Sequence, residues 1–278
     1  MKRKVTKVKG FRTTDGAGVK LVRVLGNLTT KEFDPILMLD SFDSINPDDY
    51  TAGFPMHPHR GIETISYVSR GKMVHRDSLG NEAGISDGEV QWMNSGSGIM
   101  HEEMVPAAER LLGVQLWLNL PAKDKMSKPS YNSIKNEDIK EIEIEGGKIR
   151  LLAGKYGEHE GYKGDYLSMD YYDIHLNADA EVTLTMEEDD SVMVFTLLGD
   201  VYIDGEHIEE KTAVKLTEGD SLTIKNGNEK AQVLYMNSRA LNEPVAWAGP
   251  IVMNTQEELQ KAFLELRSNT FIKETAEY

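Results

Sequence analysis

The stretch Gly53-Phe54-Pro55-Met56-His57-Pro58-His59-Arg60-Gly61-Ile62-Glu63-Thr64 joins a His-x-His couplet to the start of a strand-like run. In a β-strand successive side chains alternate between the two faces, so residues two apart point the same way. A second couplet of the same spacing, His101-Glu102-Glu103, follows further along the chain. Two such strands lying side by side would direct three imidazoles and one carboxylate at one point. The couplets therefore predict a site built on a sheet.

The residue types in the couplets favour a transition metal. Imidazole nitrogens with a carboxylate oxygen suit iron, manganese, nickel, copper or zinc better than calcium or magnesium, which prefer oxygen donors alone. The chain has 0 cysteines, so thiolate sites and disulfides are excluded. We therefore expect a nitrogen- and oxygen-ligated metal centre.

Two carboxylates compete for the fourth ligand position. Glu103 lies two residues from His101 and shares its face in a regular strand, whereas Glu102 should face away. Glu63 follows the first couplet and has the strand parity of His59. The spacing alone leaves both Glu103 and Glu63 open.

The sequence around the couplets is typical of an all-β domain. Glycine and Asp-Gly turn signals separate short strand-like runs at the spacing of a small barrel or sandwich. A closed sheet can bring strands that are distant in sequence together around a lined interior. The predicted strands between the couplets are 62–68, 72–77 and 89–93.

The second half is predicted to be a β-rich domain without a metal. A chain of 278 residues is long enough for two domains. The charged segment Lys123–Pro129 lacks apolar periodicity, which indicates a crossing between domains. We predict a metal-binding domain over 1–135 and a metal-free domain over 136–278, because His159, His175 and His207 stand in no couplet.

One helix is signalled near the end of the chain. The run Thr255-Gln256-Glu257-Glu258 matches a capping box, and apolar residues follow it at helical spacing. We expect a terminal helix that packs through Leu259, Ala262, Phe263 and Leu266.

Composition narrows the classes of function. The formal charge of −15 argues against direct contact with nucleic acid, because such contact depends on neutralising phosphates with Lys and Arg. The sequence shows neither an apolar run long enough for a membrane span nor a charged-then-apolar leader. We therefore expect a cytoplasmic protein that contacts no membrane.

Several of these motifs together resemble the pirin family, a branch of the cupin superfamily. The resemblance begins with the opening stretch 53–64 and continues to near the other end of the chain. Its further segments are 87–93, 96–104, 116–120, 199–203, 243–245 and 249–255.

The resemblance implies a fold and a ligand set. It implies two cupin-type, jelly-roll β-barrels packed together, followed by the C-terminal helix, with a mononuclear non-haem iron in the first barrel. The family's three histidines and glutamate map onto His57, His59, His101 and Glu103. The implied metal is Fe(II), although other divalent transition metals suit the same donors.

Three further residues are candidates for supporting roles near the metal. Glu63 becomes a residue beside the ligands once Glu103 is assigned as the fourth. Gln115 lies on an inward-alternating strand and could hydrogen-bond a ligand or substrate. Phe54 could wall the pocket.

The family resemblance also implies an activity. Some pirin-like proteins show quercetin 2,3-dioxygenase activity, in which dioxygen opens the ring of a flavonol, and here Glu103 would act as the catalytic base. A small aromatic substrate and dioxygen are then the expected partners. The alternative is a non-enzymatic, iron-binding regulatory or redox-sensing protein that binds another protein. Four protein ligands on an octahedral metal leave two positions open, which favours the enzyme.

Overall fold

Antiparallel strands form most of the regular structure in residues 3–217 and 219–274, the part of the chain that this computed structural model describes. The first twelve strands are β1 Arg3–Lys9, β2 Phe11–Asp15, β3 Val19–Leu25, β4 Ile36–Ser44, β5 Phe54–His59, β6 Ile62–Arg70, β7 Lys72–Asp77, β8 Glu82–Ser86, β9 Glu89–Asn94, β10 Ile99–Met104, β11 Leu111–Asn119 and β12 Ser130–Ile134. Short 3₁₀ helices lie at Pro47–Asp49 and Ala122–Asp124.

The remaining elements complete the described chain. The strands are β13 Lys140–Ile144, β14 Gly147–Ala153, β15 Lys155–Tyr156, β16 His159–Glu160, β17 Met169–Leu176, β18 Glu181–Thr185, β19 Ser191–Leu198, β20 Val201–Ile203, β21 Glu206–Ile208, β22 Thr212–Thr217, β23 Ser221–Asn226, β24 Ala231–Ser238, β25 Ala246–Ala248 and β26 Ile251–Met253. One α-helix, α1, spans Gln256–Arg267.

The chain divides into two units, each with its own core. The histidine unit comprises described residues of 12–30, 36–135 and 241–274, and the apolar unit comprises those of 3–11, 31–35 and 136–240. The chain passes from one unit to the other between residues 135 and 136, and the predicted domains stay a prediction. The predicted ranges 1–135 and 136–278 differ from the units at both ends, because each terminal segment is incorporated in the unit of the other half.

The reason for this exchange lies in strand pairing. Strand β1 pairs antiparallel with β22, so the start of the chain completes a sheet of the apolar unit. The hairpin β25–β26 and helix α1 instead share a core with one another in the histidine unit. The charge pattern of the sequence does not show which sheet the terminal segments of the chain will join.

The segment 123–129, predicted from its charge to cross between domains, packs within one unit. It belongs to the histidine unit. Lys125 is only 2% exposed and donates hydrogen bonds to the carbonyl of Gly61, at 2.7 Å, and to the side-chain oxygen of Asn119. A buried lysine with two acceptors gives this segment a packing role that its polar sequence did not suggest.

Two sheets enclose the interior of the histidine unit. The larger has the strand order β12-β9-β6-β11-β4-β3-β2, and the smaller has β5-β10-β7-β8. Apolar side chains from both sheets share a core cluster, which includes Phe42 from β4 and Met73 from β7. The smaller sheet carries both histidine couplets, on the neighbouring strands β5 and β10.

The apolar unit repeats the architecture with a different interior. Its sheets have the orders β1-β22-β19-β24-β17-β14-β13 and β18-β23-β20-β21. Their inner faces share a cluster of Val, Ile, Leu and Tyr side chains that runs from Ile149 to Tyr235. A tight turn at Asp204-Gly205 joins β20 to β21, where the two residues adopt positive φ angles of 49° and 83°.

The predicted terminal helix is also confirmed. Thr255 caps α1 and forms the expected capping box with Glu258. The apolar stripe packs as predicted, with Leu259 and Ala262 fully buried and Phe263 and Leu266 partly buried against the hairpin. None of the described helices is long and apolar enough to cross a lipid bilayer.

Candidate metal centre

Three imidazoles converge at one face of the smaller sheet in the histidine unit. Strands β5 and β10 pair so that His57 lies opposite His101, and alternation brings His59 to the same side as His57. Nε2 of His57 lies 3.0 Å from Nε2 of His59 and 3.1 Å from Nε2 of His101. The three residues form the one group of at least three potential ligand side chains found among the described residues, within 4.8 Å of one another.

The hydrogen bonds of the outer nitrogens determine the tautomers of His57 and His59. Nδ1 of His57 lies 2.8 Å from the carbonyl of Pro55, and Nδ1 of His59 lies 3.0 Å from the carbonyl of Pro250. A carbonyl only accepts, so each Nδ1 carries the proton and donates. In the neutral ring the converging Nε2 atoms therefore both present lone pairs.

Two successive hydrogen bonds, through His75 to Asp77, orient His101. Asp77 accepts from Nε2 of His75 at 2.8 Å, which leaves Nδ1 of His75 free to accept from Nδ1 of His101 at 3.4 Å. Nε2 of His101 then also presents a lone pair to the centre. Histidine ligands of metals commonly donate their other N–H to a carboxylate, a carbonyl or another acceptor in this way.

His75 and its partners are rigidly held. The ring of His75 stacks on Tyr131, with centroids 4.0 Å apart and an interplanar angle of 14°. Burial acts to raise the pKa of Asp77, but the hydrogen bonds from His75 and Asn81 outweigh it and lower the pKa below its usual value. Asp77 therefore stays an anionic acceptor, and His75 has a structural role in orienting His101.

It is not because they share a proton that the Nε2 atoms lie close together. Burial, followed by the charge of neighbouring His57, lowers the pKa of His59 to about 3. Burial and the surrounding histidines also lower the pKa of His101 well below its usual value. His59 and His101 are thus neutral near pH 7, and their Nε2 lone pairs, which converge with that of His57, suit a metal cation.

The spacing of the nitrogens fits a particular coordination geometry. With metal–nitrogen bonds of about 2.1 Å, ligands at right angles lie about 3.0 Å apart, whereas tetrahedral ligands lie about 3.4 Å apart. The two Nε2 separations at His57 are 3.0 and 3.1 Å. The donor set therefore fits adjacent positions of an octahedral site.

Glu103 lies next to this centre, held by two amides. Its carboxylate oxygens accept from the side-chain nitrogen of Gln115 at 2.8 and 3.1 Å, and one of them also accepts from Gln91. The carboxylate is not in the group of mutually close ligand atoms that the three imidazoles form. The β10–β5 register shifts between His101 and Glu103, with the extra residue on β5, whereas the β10–β7 pairing across the same two residues is regular. The place of Glu103 as fourth ligand stays a prediction.

Glu63 and Glu102 are engaged elsewhere. Strand β5 ends at His59 and β6 begins at Ile62, so the parity that the sequence suggested for Glu63 and His59 is not carried across Gly61. Glu63 accepts a hydrogen bond of 2.9 Å from the indole N–H of Trp92. Glu102 pairs at 3.7 Å with Arg76 and is partly exposed, as strand alternation predicted.

A cavity of about 660 Å³ opens onto the imidazoles within the histidine unit. This volume lies in the range of small-molecule sites, about 300–1,000 Å³. Phe54 lines it, as proposed from the sequence, and so does Gln115. Two tryptophans add an aromatic wall: Trp117 lies 5.1 Å from the ring of His59, and Trp247 lies 5.4 Å from Trp117, between ring centroids.

Sequence reasoning missed several residues of this site. Trp247 and Pro250 come from the C-terminal hairpin, far from the couplets in sequence, and no local signal connects them with the histidines. Asp40 and Arg23 also line the cavity. A charged residue inside the apolar run Ile36–Phe42 was the available signal for Asp40, because such residues are rarely buried without a partner.

Arg60 proves to be a structural anchor. It is 2% exposed and forms a 2.8 Å ion pair with Glu265 of α1. It also donates to the carbonyls of Ser97 and Phe271 at 2.7 and 2.9 Å, and its guanidinium lies 4.2 Å from the ring centroid of Phe271. The residue next to ligand candidate His59 thus anchors the C-terminal segment.

The two barrels define a bicupin, and the histidine cluster gives one of them a group of side chains suited to binding a metal. Residues 18–118 match the family described as Pirin, and residues 171–272 match the family described as Pirin C-terminal cupin domain. The chain belongs to the pirin family.

Relatives and solved structures agree with this assignment. A Pseudomonas aeruginosa protein named "Putative quercetin 2,3-dioxygenase" is 39% identical over 268 residues, covering 93% of this chain and 94% of that protein. Pirin of Homo sapiens is 35% identical over 265 residues, covering 92% and 89%. The crystal structure of quercetin 2,3-dioxygenase from Acinetobacter baumannii superposes with a TM-score of 0.89 at 30% identity, covering 98% of each chain.

Proposed function

We propose that the protein is a metal-dependent dioxygenase that opens the ring of flavonols such as quercetin. The observation that carries the proposal is the convergence of three unprotonated Nε2 atoms at the wall of an aromatic-lined cavity of about 660 Å³. A metal with a purely structural task has closed coordination by protein ligands and needs no such cavity. The names of two relatives, a quercetin 2,3-dioxygenase and a protein named as one, support the same substrate class.

We propose His57, His59, His101 and Glu103 as the ligands. Glu103 follows His101 by two residues on β10 and would complete the set. Iron(II), or another divalent transition metal bound there, would supply Lewis acidity toward an enol oxygen and redox chemistry with dioxygen. Glu103 is the one anionic group of this set, so it balances part of the added charge.

The protein's own residues account for binding and proton transfer. Trp117 and Trp247, whose rings are inclined to each other by 44°, provide aromatic faces on which an aromatic ring can pack. Glu103 is the base that accepts the proton of the flavonol hydroxyl, since it is the buried carboxylate beside the imidazoles. Gln91 and Gln115 hold that carboxylate in place through their side-chain N–H groups. In the overall reaction both oxygen atoms of dioxygen enter the product and carbon monoxide leaves.

The test is turnover by protein reconstituted anaerobically with iron(II). On addition of quercetin in air-saturated buffer we expect dioxygen uptake matched by carbon monoxide release. His101→Ala should abolish both. The matched control is His175→Ala, which removes a histidine paired at 2.7 Å with Asp173 in the apolar unit and should leave turnover unchanged.

The regulatory alternative makes the opposite prediction. A metal-loaded protein that consumes no dioxygen with quercetin or related flavonols, yet binds a protein partner with different affinities in the Fe(II) and Fe(III) states, would replace the proposed dioxygenase. Such a difference requires unequal binding of the partner to the two states.

A further inference from the structure

A charged cluster forms one wall of the same cavity, outside the ligand set. Its members are Asp15, Arg23 and Asp40, and all three line the cavity with His57 and His59. Arg23 donates to Asp40 through Nε at 2.9 Å and through Nη2 at 2.7 Å, and Nη2 also donates to Asp15 at 2.6 Å. The guanidinium is therefore held in one orientation by a bidentate carboxylate pair.

One guanidinium nitrogen of Arg23 remains available as a hydrogen-bond donor. Within the part of the chain that the structure describes, Nη1 has no hydrogen-bond partner, although Nε and Nη2 are both engaged. The side chain is 29% exposed, and the surface it contributes lines the cavity. Arg23 thus offers two fixed N–H donors to a bound molecule.

An acceptor lies on the neighbouring strand. Strand pairing sets Arg23 opposite Asp40, and Asp40 opposite Gln115, so the three residues lie at one level across β3, β4 and β11. The amide nitrogen of Gln115 donates to Glu103 and to Ser66. Its oxygen has no partner among the described residues. The wall therefore presents Arg23 donors and a Gln115 acceptor beside the imidazoles.

The charges of the wall limit what it can bind. The guanidinium of Arg23 is already shared between two carboxylates, so a third carboxylate on a ligand gains little from its charge. Hydrogen bonds from Arg23 and Gly16 outweigh burial and lower the pKa of Asp15, whereas burial outweighs the Arg23 hydrogen bonds at Asp40 and raises its pKa. An uncharged carbonyl can accept from Arg23, and an adjacent hydroxyl can donate to Gln115.

We propose that Arg23 and Gln115 determine substrate specificity by binding the carbonyl and hydroxyl groups of planar hydroxylated aromatic ligands against the tryptophan wall. This inference rests on the proposed function, since it describes recognition in the same pocket. It goes further by naming the recognition groups and by excluding aromatic carboxylates as preferred ligands.

The experiment measures quercetin binding without turnover. Metal-loaded protein under anaerobic conditions is titrated with quercetin, and binding is followed by quenching of tryptophan fluorescence, because Trp117 and Trp247 line the cavity. In Arg23→Lys we expect the Kd to rise at least tenfold at unchanged metal content. A lysine keeps the charge, but its single ammonium cannot hold both aspartates and still present a fixed donor pair.

Two further variants control for stability and for charge. Arg110 pairs with Asp43 at 2.7 Å outside the cavity, so Arg110→Lys should leave the Kd unchanged. The double variant Arg23→Met, Asp40→Leu removes the donor without leaving a buried carboxylate unpaired, and it should show the same loss of affinity as Arg23→Lys.

Each outcome decides between the two proposals. Equal Kd values for wild type and Arg23→Lys would overturn the specificity assignment while leaving a dioxygenase in place. Tight, Arg23-dependent binding of quercetin without dioxygen uptake would retain the assignment and reject the dioxygenase. Failure of wild type to bind quercetin would reject both.

Discussion

The chemistry of the metal centre depends on single hydrogen bonds that select the histidine tautomers. His57 and His59 each donate from Nδ1 to a backbone carbonyl, and His101 donates to His75. Each bond leaves Nε2 unprotonated at the centre. At this scale the ligand types could be predicted from the sequence, whereas the acceptors that orient them could not.

The first prediction concerns ligand identity. His57→Ala, His59→Ala, His101→Ala and Glu103→Ala should each weaken iron binding strongly, because each removes a donor. His75→Phe retains the stack on Tyr131 and removes the acceptor for His101, and it should cost roughly 10–100-fold in metal affinity. Calorimetric titration with iron(II) under anaerobic conditions measures both effects.

Glu102→Ala and His207→Ala are the controls for this series. Glu102 pairs with Arg76, and His207 pairs with Asp200 at 3.0 Å in the apolar unit. Neither should change the affinity or the stoichiometry of one metal per chain. Unchanged affinity in Glu103→Ala would contradict the four-ligand assignment.

The second prediction concerns Gln115 as a positioning residue for Glu103. Gln115→Met removes the hydrogen bond that the amide nitrogen donates to the Glu103 carboxylate, typically worth about 1.5–3 kcal/mol. We expect kcat on quercetin to fall at least tenfold at full metal occupancy, because the base is no longer held in place. Steady-state dioxygen uptake measures kcat.

A buried glutamine in the other unit serves as the matched control. Gln232 donates at 2.8 Å to the carboxylate of Asp173. Gln232→Met should reduce thermal stability without reducing kcat. A similar loss of kcat in both variants would show that the effect of Gln115→Met is a general loss of stability.

At the scale of elements, the C-terminal segment completes the metal centre. Hairpin β25–β26 contributes Trp247 to the cavity, and the turn between its strands supplies the Pro250 carbonyl to His59. Arg60 ties α1 to the strand that carries the first couplet. The position of one ligand thus depends on an element from the far end of the chain.

The third prediction tests this anchor. Arg60→Met leaves the carbonyls of Ser97 and Phe271 without their donor, and among the described residues Glu265 keeps only its ion pair with Lys273 at 3.1 Å. A buried acceptor left without a donor typically costs about 1–3 kcal/mol. We expect a clear fall in the free energy of unfolding, together with weaker iron binding, because the hairpin that orients His59 is loosened. Urea unfolding and metal titration measure the two effects.

An exposed ion pair provides the comparison for Arg60. Lys155 and Glu160 lie 2.7 Å apart with side chains 71% and 69% exposed, so Lys155→Met should change stability little. Loss of stability in Arg60→Met with metal affinity intact would disprove the coupling between the C-terminal segment and the site.

At the scale of the whole molecule, one buried lysine makes stability depend on pH. Burial lowers the pKa of Lys125 from its usual 10.5 to about 7. Between these two values the unfolded chain holds a proton that the folded protein has released. Because stability rises with pH wherever the unfolded state binds more protons, Lys125 adds stability as the pH increases from 7 toward 10.5.

The fourth prediction follows from this increase in stability with pH. We compare the free energy of unfolding of the wild type with that of Lys125→Met. The difference between the two should be constant below about pH 6 and should rise in favour of the wild type by on the order of a few kcal/mol between pH 7 and 10. Chemical unfolding of both proteins across this range measures the difference. Lys123 lies two residues away and is exposed, so the difference between wild type and Lys123→Met should not change with pH. A flat difference for Lys125→Met as well would refute the lowered pKa.

The sequence by itself determined the class of fold and the core of the site. Strand-like runs between turn signals predicted β6, β7 and β9 nearly to the residue, and the capping box predicted α1. The His-x-His and His-x-Glu spacings predicted which side chains share a face. These features are local, because alternation and capping depend on neighbours only a few residues away.

Only the tertiary structure decided what surrounds those residues. The Pro250 carbonyl on His59, the Arg60 anchor and the Arg23–Asp40 wall all join segments that are distant in the chain. The same is true of the exchanged terminal segments and of Glu63, whose parity is interrupted at Gly61. Such contacts depend on which strands pair and where a strand breaks, and local patterns carry little information about either.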